Sequence, residues 1–238
     1  IEDAFSTPFS SVVSYAGYIY YIANDGINRI SYSNFNPQLI QSNLGNDYIN
    51  EHIKSFTINK NTGTIYFTTK SKIHRKQPNG VINQDFNTNL PDSWNGSRGS
   101  GILFTSQNGD LFSVTSGNPT TVCKHQDGSA TDPFISFAGE ISGAVMNSSN
   151  NIFLTSKTVD AGSDAVIFKY STSGTGGLLS TPGLGAIIGT NPAIIGSITI
   201  DDSENLFISV GLTSNYSYRI IKLFANTTYT SYEVIAGN

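Results

Sequence analysis

The chain has 238 residues, with 13 Lys and Arg against 17 Asp and Glu, a formal net charge of −4. Charged residues make up 13% of it, about half the usual share for a soluble domain, while 38% hydrophobic and 11% aromatic residues give ample material for a core. This balance argues against a disordered chain and, with a pI near 5.2, against a basic nucleic-acid surface. No apolar run reaches the ~18 residues of a spanning helix.

In chain order, the first unit opens on Ala4-Phe-Ser-Thr-Pro8, which reads as the run-in to a strand. An apolar aromatic strand follows at Tyr18-Ile-Tyr-Tyr-Ile22, a third segment at Ile30-Ser-Tyr32 and a fourth at Gln38-Leu-Ile-Gln41. The second unit repeats the grammar. It has Ser55-Phe-Thr-Ile58, a polar turn at Asn59-Lys-Asn-Thr-Gly63, then Thr64-Ile-Tyr-Phe-Thr68, Ile73-His-Arg75 and Gly80-Val-Ile-Asn83. The third unit shows the turn Gln107-Asn-Gly109 and strands Asp110-Leu-Phe-Ser-Val114, Val122-Cys-Lys124 and Phe134-Ile-Ser-Phe137. The fourth has Gly143-Ala-Val-Met146, Asn151-Ile-Phe-Leu-Thr155, Ile167-Phe-Lys169 and Gly177-Leu-Leu-Ser180. The fifth has Gly196-Ser-Ile-Thr-Ile200, the turn Asp201-Asp-Ser-Glu204, then Asn205-Leu-Phe-Ile-Ser209, Ile220-Ile-Lys222 and Tyr232-Glu-Val-Ile-Ala236.

Anchoring on Ile19, Ile65, Leu111, Ile152 and Leu206 gives spacings of 46, 46, 41 and 54 residues. Sustained helical periodicity is absent, the prolines fall between the strands, and Asx-rich turns suit tight hairpins. Five units of four antiparallel strands, at approximately 4–43, 44–87, 88–137, 138–183 and 184–238, predict an all-β chain. It reads as a single β-propeller domain of five counted repeats. Four units place a basic residue two positions after an apolar one in the third strand, the first unit carrying Ile30-Ser-Tyr32 there instead.

These residues resemble NHL-repeat propellers. The likeness is carried by Tyr21-Ile-Ala-Asn-Asp-Gly-Ile-Asn-Arg-Ile30, by Gly196-Ser-Ile-Thr-Ile-Asp-Asp-Ser-Glu-Asn-Leu-Phe-Ile208 and by the terminal Val234-Ile-Ala-Gly-Asn238. Asn24 stands where the family usually has Asp, and Arg29 and Arg219 keep the arginine that opens the third strand. The plain reading of such arginines is a blade-internal hydrogen bond to a carbonyl or Asx side chain. The run-in at Ala4–Pro8 and a fourth strand ending at Ile235 read as blades contiguous in sequence, with closure by packing of the last blade on the first. The resemblance implies six blades as the alternative to the five repeats counted.

In such blades the first-to-second and third-to-fourth connections share one end. The longer segments Leu44–Glu51, Thr88–Ser100, Lys157–Asp164, Leu184–Ile195 and Gly211–Ser217 all belong to the other. Long loops on a rigid scaffold are where binding concentrates. Candidate contact residues are Trp94, which stacks on a sugar or anchors a partner unless it plugs a gap between blades, with Arg98 beside it, and Tyr216 and Tyr218. Glycan acceptor motifs stand at Asn95, Asn147, Asn215 and Asn226, the first and third of them on the long-loop side. The start at Ile1, without Met or a leader, reads as a processed product or a domain cut from a longer chain. Lone Cys123 permits no disulfide within the chain.

Catalytic patterns are missing from the sequence. His52, His74 and His125 have no close second ligand and read as surface strand positions; there is no nucleophile elbow and no phosphate loop. The acidic run 201–204 offers clustered oxygens to Ca²⁺, although a solvated hairpin turn is the commoner reason for such a run. The resulting expectation is a non-enzymatic, extracellular or cell-surface module without a cofactor, recognising a protein or glycan and neither nucleic acid nor membrane. Its rivals are a Ca- or Zn-dependent hydrolase or lyase, with Asn59, Asn147 and Asp201 at equivalent positions, and a structural spacer.

Overall fold

Alternation of apolar and polar residues in segments of four to eight, punctuated by Asn-Gly and Asx turns, builds hairpins in series. The computed structural model describes residues 12–45, 52–69, 72–87, 102–114, 120–125, 133–137, 141–156, 166–179, 193–212 and 218–237. Among them are five four-stranded antiparallel blades of a β-propeller fold. The first holds β1 (Val12–Tyr15), β2 (Tyr18–Ala23), β3 (Gly26–Ser31) and β4 (Gln38–Ser42); the second β5 (Ser55–Ile58), β6 (Ile65–Thr68), β7 (Ile73–Lys76) and β8 (Ile82–Asn87). The third holds β9 (Ile102–Thr105), β10 (Leu111–Val114), β11 (Thr120–His125) and β12 (Pro133–Phe137). The fourth holds β13 (Ile141–Met146), β14 (Asn151–Ser156), β15 (Ile167–Ser171) and β16 (Gly176–Leu178), and the fifth β17 (Ala193–Ile200), β18 (Leu206–Leu212), β19 (Tyr218–Leu223) and β20 (Tyr232–Ala236). Each blade follows chain order from one edge to the other. The fourth strand expected at 232–236 forms with those limits. The run-in at Ala4–Pro8 lies outside the described residues, and the first blade opens on β1.

Two compact units are distinguished, Ile1–Gly117 with Thr121–Pro133, and Asn118–Thr120 with Phe134–Asn238. In the first unit, one core joins Tyr20 and Ile27 of the first blade to Phe56, Ile58, Ile65 and Phe67 of the second. Another joins Ile73 and Phe86 to Leu103 and Leu111. In the second unit, Phe153 and Ile167 pack with Ile195, Ile198, Leu206, Ile208, Val210, Ile221 and Leu223. Each cluster thus forms between consecutive blades, as expected of sheets that cannot hide both faces alone. The anchors Ile65, Leu111, Ile152 and Leu206 are all buried, while Ile19 is half-buried.

The small residues that precede the anchors have a steric cause. A Cβ on Gly143 would stand 2.8 Å from Thr155 Oγ1 and 2.9 Å from both Ile198 Cγ2 and the Ile198 backbone nitrogen of the next blade. Ser55 plays the corresponding part in the second blade, its hydroxyl accepting from the Leu103 N–H at 3.3 Å. Small side chains here let one inner strand approach the next.

The third-strand base also has a cause, and it corrects the reading of the first unit. Cross-strand register sets Tyr66 opposite Arg75, Phe112 opposite Lys124, Phe153 opposite Lys169 and Phe207 opposite Lys222. In the first blade Tyr20 faces Arg29, so its apolar–x–basic triplet is Ile27-Asn28-Arg29, three residues earlier than Ile30-Ser31-Tyr32. The tight turn at Asn24–Asp25 sets this by pairing Ala23 with Gly26. The cations lie over rings: Lys124 is 5.9 Å from Phe112, Lys169 5.8 Å from Phe153, Lys222 5.4 Å from Phe207, Arg29 4.2 Å from Tyr18 and Arg75 5.0 Å from Phe86. Each such contact contributes about 0.5–1 kcal/mol at an exposed site.

Candidate functional site

At one end of the blades the first-to-second turn is closed, in the second to fifth, by a side chain just after the inner strand, whereas the first blade turns through Ala16 and Gly17. Asn59 Oδ1 accepts from the Asn61 and Thr62 N–H groups at 2.9 and 3.3 Å. Ser106 Oγ accepts from the Asp110 N–H at 3.0 Å. Asn147 Oδ1 accepts from the Asn151 N–H at 2.8 Å, and Asp201 Oδ1 from Ser203 and Asn205 at 3.0 and 2.8 Å. Short Asx and Ser side chains satisfy turn amides in this way at no cost in reach. The free amide of the asparagine then reaches the following blade: Asn59 Nδ2 donates to the Gly109 carbonyl at 3.3 Å, and Asn147 Nδ2 to Glu204 Oε2 at 3.1 Å. Ser148 Oγ also donates to Glu204. Gly109, at φ 89°, lies where a Cβ would come within 2.4 Å of Asn59 Nδ2, so only glycine admits this staple.

Third-to-fourth connections share this end. Tyr32 N–H donates to the Gly17 carbonyl at 3.2 Å in the first blade. In the fifth, Ala225 N–H donates to Asn205 Oδ1 at 3.1 Å and Tyr229 OH to the Glu204 carbonyl at 3.1 Å. Burial raises the Tyr229 pKa, with the Glu204 and Asp201 carboxylates adding to it. For Asp201 burial works against the charge, but hydrogen bonds from Asn205 and Ser203 and the nearby Lys222 ammonium outweigh it and hold the carboxyl below its ordinary range. Among the described residues no group of three or more His, Cys, Asp and Glu is placed to hold a metal ion. The oxygens of Asn59, Asn147 and Asp201 are each engaged by the amides of their own turn.

Two histidines depart from the expected surface position. His74 and His125 are buried, each with a hydroxyl of its own blade against the ring. Thr69 Oγ1 lies 3.0 Å from His74 Nε2, and the ring stacks on Phe67 at 4.9 Å. Ser113 Oγ lies 2.6 Å from His125 Nε2, and burial pushes the His125 pKa down from 6.5 to about 4. Both hydroxyls are themselves buried, so neither Ser–His nor Thr–His pair is presented to a substrate. Arg29 makes the blade-internal bonds expected of it, to Tyr20 OH at 3.3 Å and Gln38 Oε1 at 3.1 Å.

Trp94, Arg98 and Tyr216, with the acceptor asparagines Asn95 and Asn215, lie outside the described residues. Tyr218 opens β19 opposite Gly211. Asn147 is buried in the staple, and Asn226 is exposed in the short 3-10 helix Ala225–Thr227. One exposed aromatic went unnoticed in the sequence. Phe35, 75% exposed, sits in the Ser33-Asn-Phe-Asn-Pro37 connection, where Asn34 Oδ1 accepts from the Asn36 N–H at 3.1 Å. The Asn and Pro around it mark that turn; what they do not mark is a ring left in water.

No family model matches the chain, and no curated protein matches it. Solved structures do resemble it, and those neighbours are β-propeller proteins. The calcium-binding protein regucalcin of Agrobacterium tumefaciens superposes with a TM-score of 0.62 at 6% identity, over 95% of this chain and 74% of that one. The extracellular domain of a protein named as a one-component system of Bacteroides thetaiotaomicron gives 0.55 at 12% identity, over 95% of this chain and 27% of that one. A protein named as exported in Bacteroides fragilis gives 0.52 at 14% identity, over 99% and 73%. At these identities the likeness is one of fold. The chain spans about a quarter of the length of the one-component-system chain. No helix among the described residues is long and apolar enough to cross a membrane.

Proposed function

We propose that this chain is a non-catalytic binding module, an NHL-type propeller of the secretory route, which recognises a protein or a glycan at the end opposite the capped turns. The observation that carries this reading is that the polar side chains of the capped turns are already committed within the fold. At the capped end, Asn59, Ser106, Asn147 and Asp201 are committed to turn amides, and Asn59 and Asn147 also to the next blade. By their place in the sequence Trp94 and Arg98 belong to a blade-to-blade connection and Tyr216 to a second-to-third one, away from these turns. The neighbouring structures include an extracellular domain and a protein named as exported, which supports the setting.

The test is a glycan array and a cell-surface protein array probed with the whole chain, beside the variant Trp94→Ala/Arg98→Ala/Tyr216→Ala and the control Phe35→Ala. The expected result is signal lost in the triple variant and kept in Phe35→Ala, with both folded by circular dichroism. Equal signal from the triple variant, or loss in Phe35→Ala alone, overturns the site. The metal-dependent alternative draws on the calcium-binding neighbour regucalcin. In this chain the oxygens at the equivalent positions already accept turn hydrogen bonds, so calcium titration by calorimetry is expected to show no stoichiometric binding. A saturable one-to-one isotherm would favour the alternative.

A further inference from the structure

Two glycan acceptor motifs fall within the described residues, Asn147-Ser-Ser149 and Asn226-Thr-Thr228. Both belong to the capped-turn end, yet the fold treats them oppositely. Asn147 is only 6% exposed. Its Nδ2, the atom that would carry sugar, donates to Glu204 Oε2 at 3.1 Å, while its Oδ1 holds the Asn151 N–H at 2.8 Å. Asn226 is exposed, and its carboxamide does not enter the hydrogen bonds that fix its turn. Those run through its neighbours: Ala225 N–H to Asn205 Oδ1 at 3.1 Å, Thr227 Oγ1 to the Phe224 carbonyl at 3.0 Å, and Tyr229 OH to the Glu204 carbonyl at 3.1 Å. Thr228, which supplies the required hydroxyl two residues on, is also exposed and holds φ 55°. The turn is therefore anchored from beneath, and the acceptor amide and its companion hydroxyl stand in water.

We infer that Asn226 is an N-glycosylation site and that the fold closes Asn147 to the same modification. The inference rests on the secretory reading proposed above. The donor is a lipid-pyrophosphate-linked oligosaccharide. The Nδ2–C1 bond forms as the C1–O bond to pyrophosphate breaks, one carboxamide proton passes to a base, and the lipid pyrophosphate leaves. The order of transfer and folding does not change the outcome. A chain that received sugar on Asn147 before folding could not close the Asn147–Glu204 contact, because a branched, hydrated group would have to enter a site buried between two blades. The folded pool then carries glycan at Asn226 and none at Asn147. A glycan at Asn226 shields the capped end of the fifth blade and leaves the long-loop end open to a partner.

The experiment expresses the whole chain behind a secretion leader in a glycosylating eukaryotic host and maps tryptic glycopeptides of the folded, secreted protein. Asn147 and Asn226 fall in separate peptides, 125–157 and 223–238. The expected result is hexosamine-bearing mass on 223–238, abolished in Asn226→Gln and Thr228→Ala and retained in Thr228→Ser, with 125–157 bare. A bare 223–238 in the folded protein, or glycan on 125–157, overturns the inference. Failure of the secretory reading is seen separately, as a natural protein that never leaves the cytosol while the secreted version still takes sugar at Asn226.

Discussion

Gly143→Ala tests whether the small inner-strand residues exist to bring blades together. The added methyl would lie 2.8 Å from Thr155 Oγ1 and 2.9 Å from Ile198 Cγ2 and from the Ile198 nitrogen. Ordinary carbon contacts run at about 3.5–4.0 Å, so three atoms overlap at once. Thr155 can rotate, but a backbone nitrogen in β17 moves only if the fifth blade moves. Overpacking of this kind costs about 1–3 kcal/mol. At about 2 kcal/mol, hydrogen exchange of the protected amides in β13 and β17 accelerates about 30-fold, each 1.4 kcal/mol being tenfold. Gly177→Ala in β16 of the same blade is the control, because nothing lies within 4 Å of its added Cβ; it is expected to be neutral or stabilising by up to about 1 kcal/mol. Ile198→Ala, itself costly, removes one of the three clashes, so Gly143→Ala costs less in that background than in the wild type. Exchange in β17 that responds to Gly143→Ala no more than to Gly177→Ala would refute the steric argument.

Other predictions follow from single side chains. His125 binds no proton in the folded state between pH 6.5 and about 4, whereas the unfolded chain does; its contribution is complete above pH 6.5 and is lost on acidification through that window, by about 3 kcal/mol at most. Urea midpoints of His125→Gln should therefore fall less steeply from pH 7 to 4.5 than those of the wild type, and parallel profiles would contradict the assignment. Asn59→Ala removes the turn cap and the staple together and is expected to cost about 1–2 kcal/mol. Asn59→Asp keeps the cap but turns a carboxylate toward the Gly109 carbonyl, so it too destabilises; an Asp variant as stable as the wild type would leave the staple without weight. Lys222→Met removes the cation from the Phe207 and Phe224 rings at 5.4 and 5.1 Å and from the neighbourhood of Asp201. The expected signature is a higher Asp201 titration midpoint by carboxylate NMR.

Local pattern determined much of this protein. The repeat, the hairpin turns and the strands at 55–58 and 232–236 are written in residues next to one another, because alternation and Asx or Gly turn chemistry act over a few positions. So is the third-strand base, although its partner is not. The pairing of Arg29 with Tyr20 was decided only by the Asn24–Asp25 turn, which fixes the register. Burial of His74 and His125 was equally hidden, since a strand residue does not announce which face another blade or a neighbouring hydroxyl will cover. Asn147 makes the same point most clearly. Its sequence context is an acceptor motif no different in kind from that of Asn226. Only the approach of the fifth blade, which Gly143 permits and Glu204 completes, turns one asparagine into a staple while the other stays in water. Sequence set the elements and their order; packing between blades decided which polar side chains remained available for function.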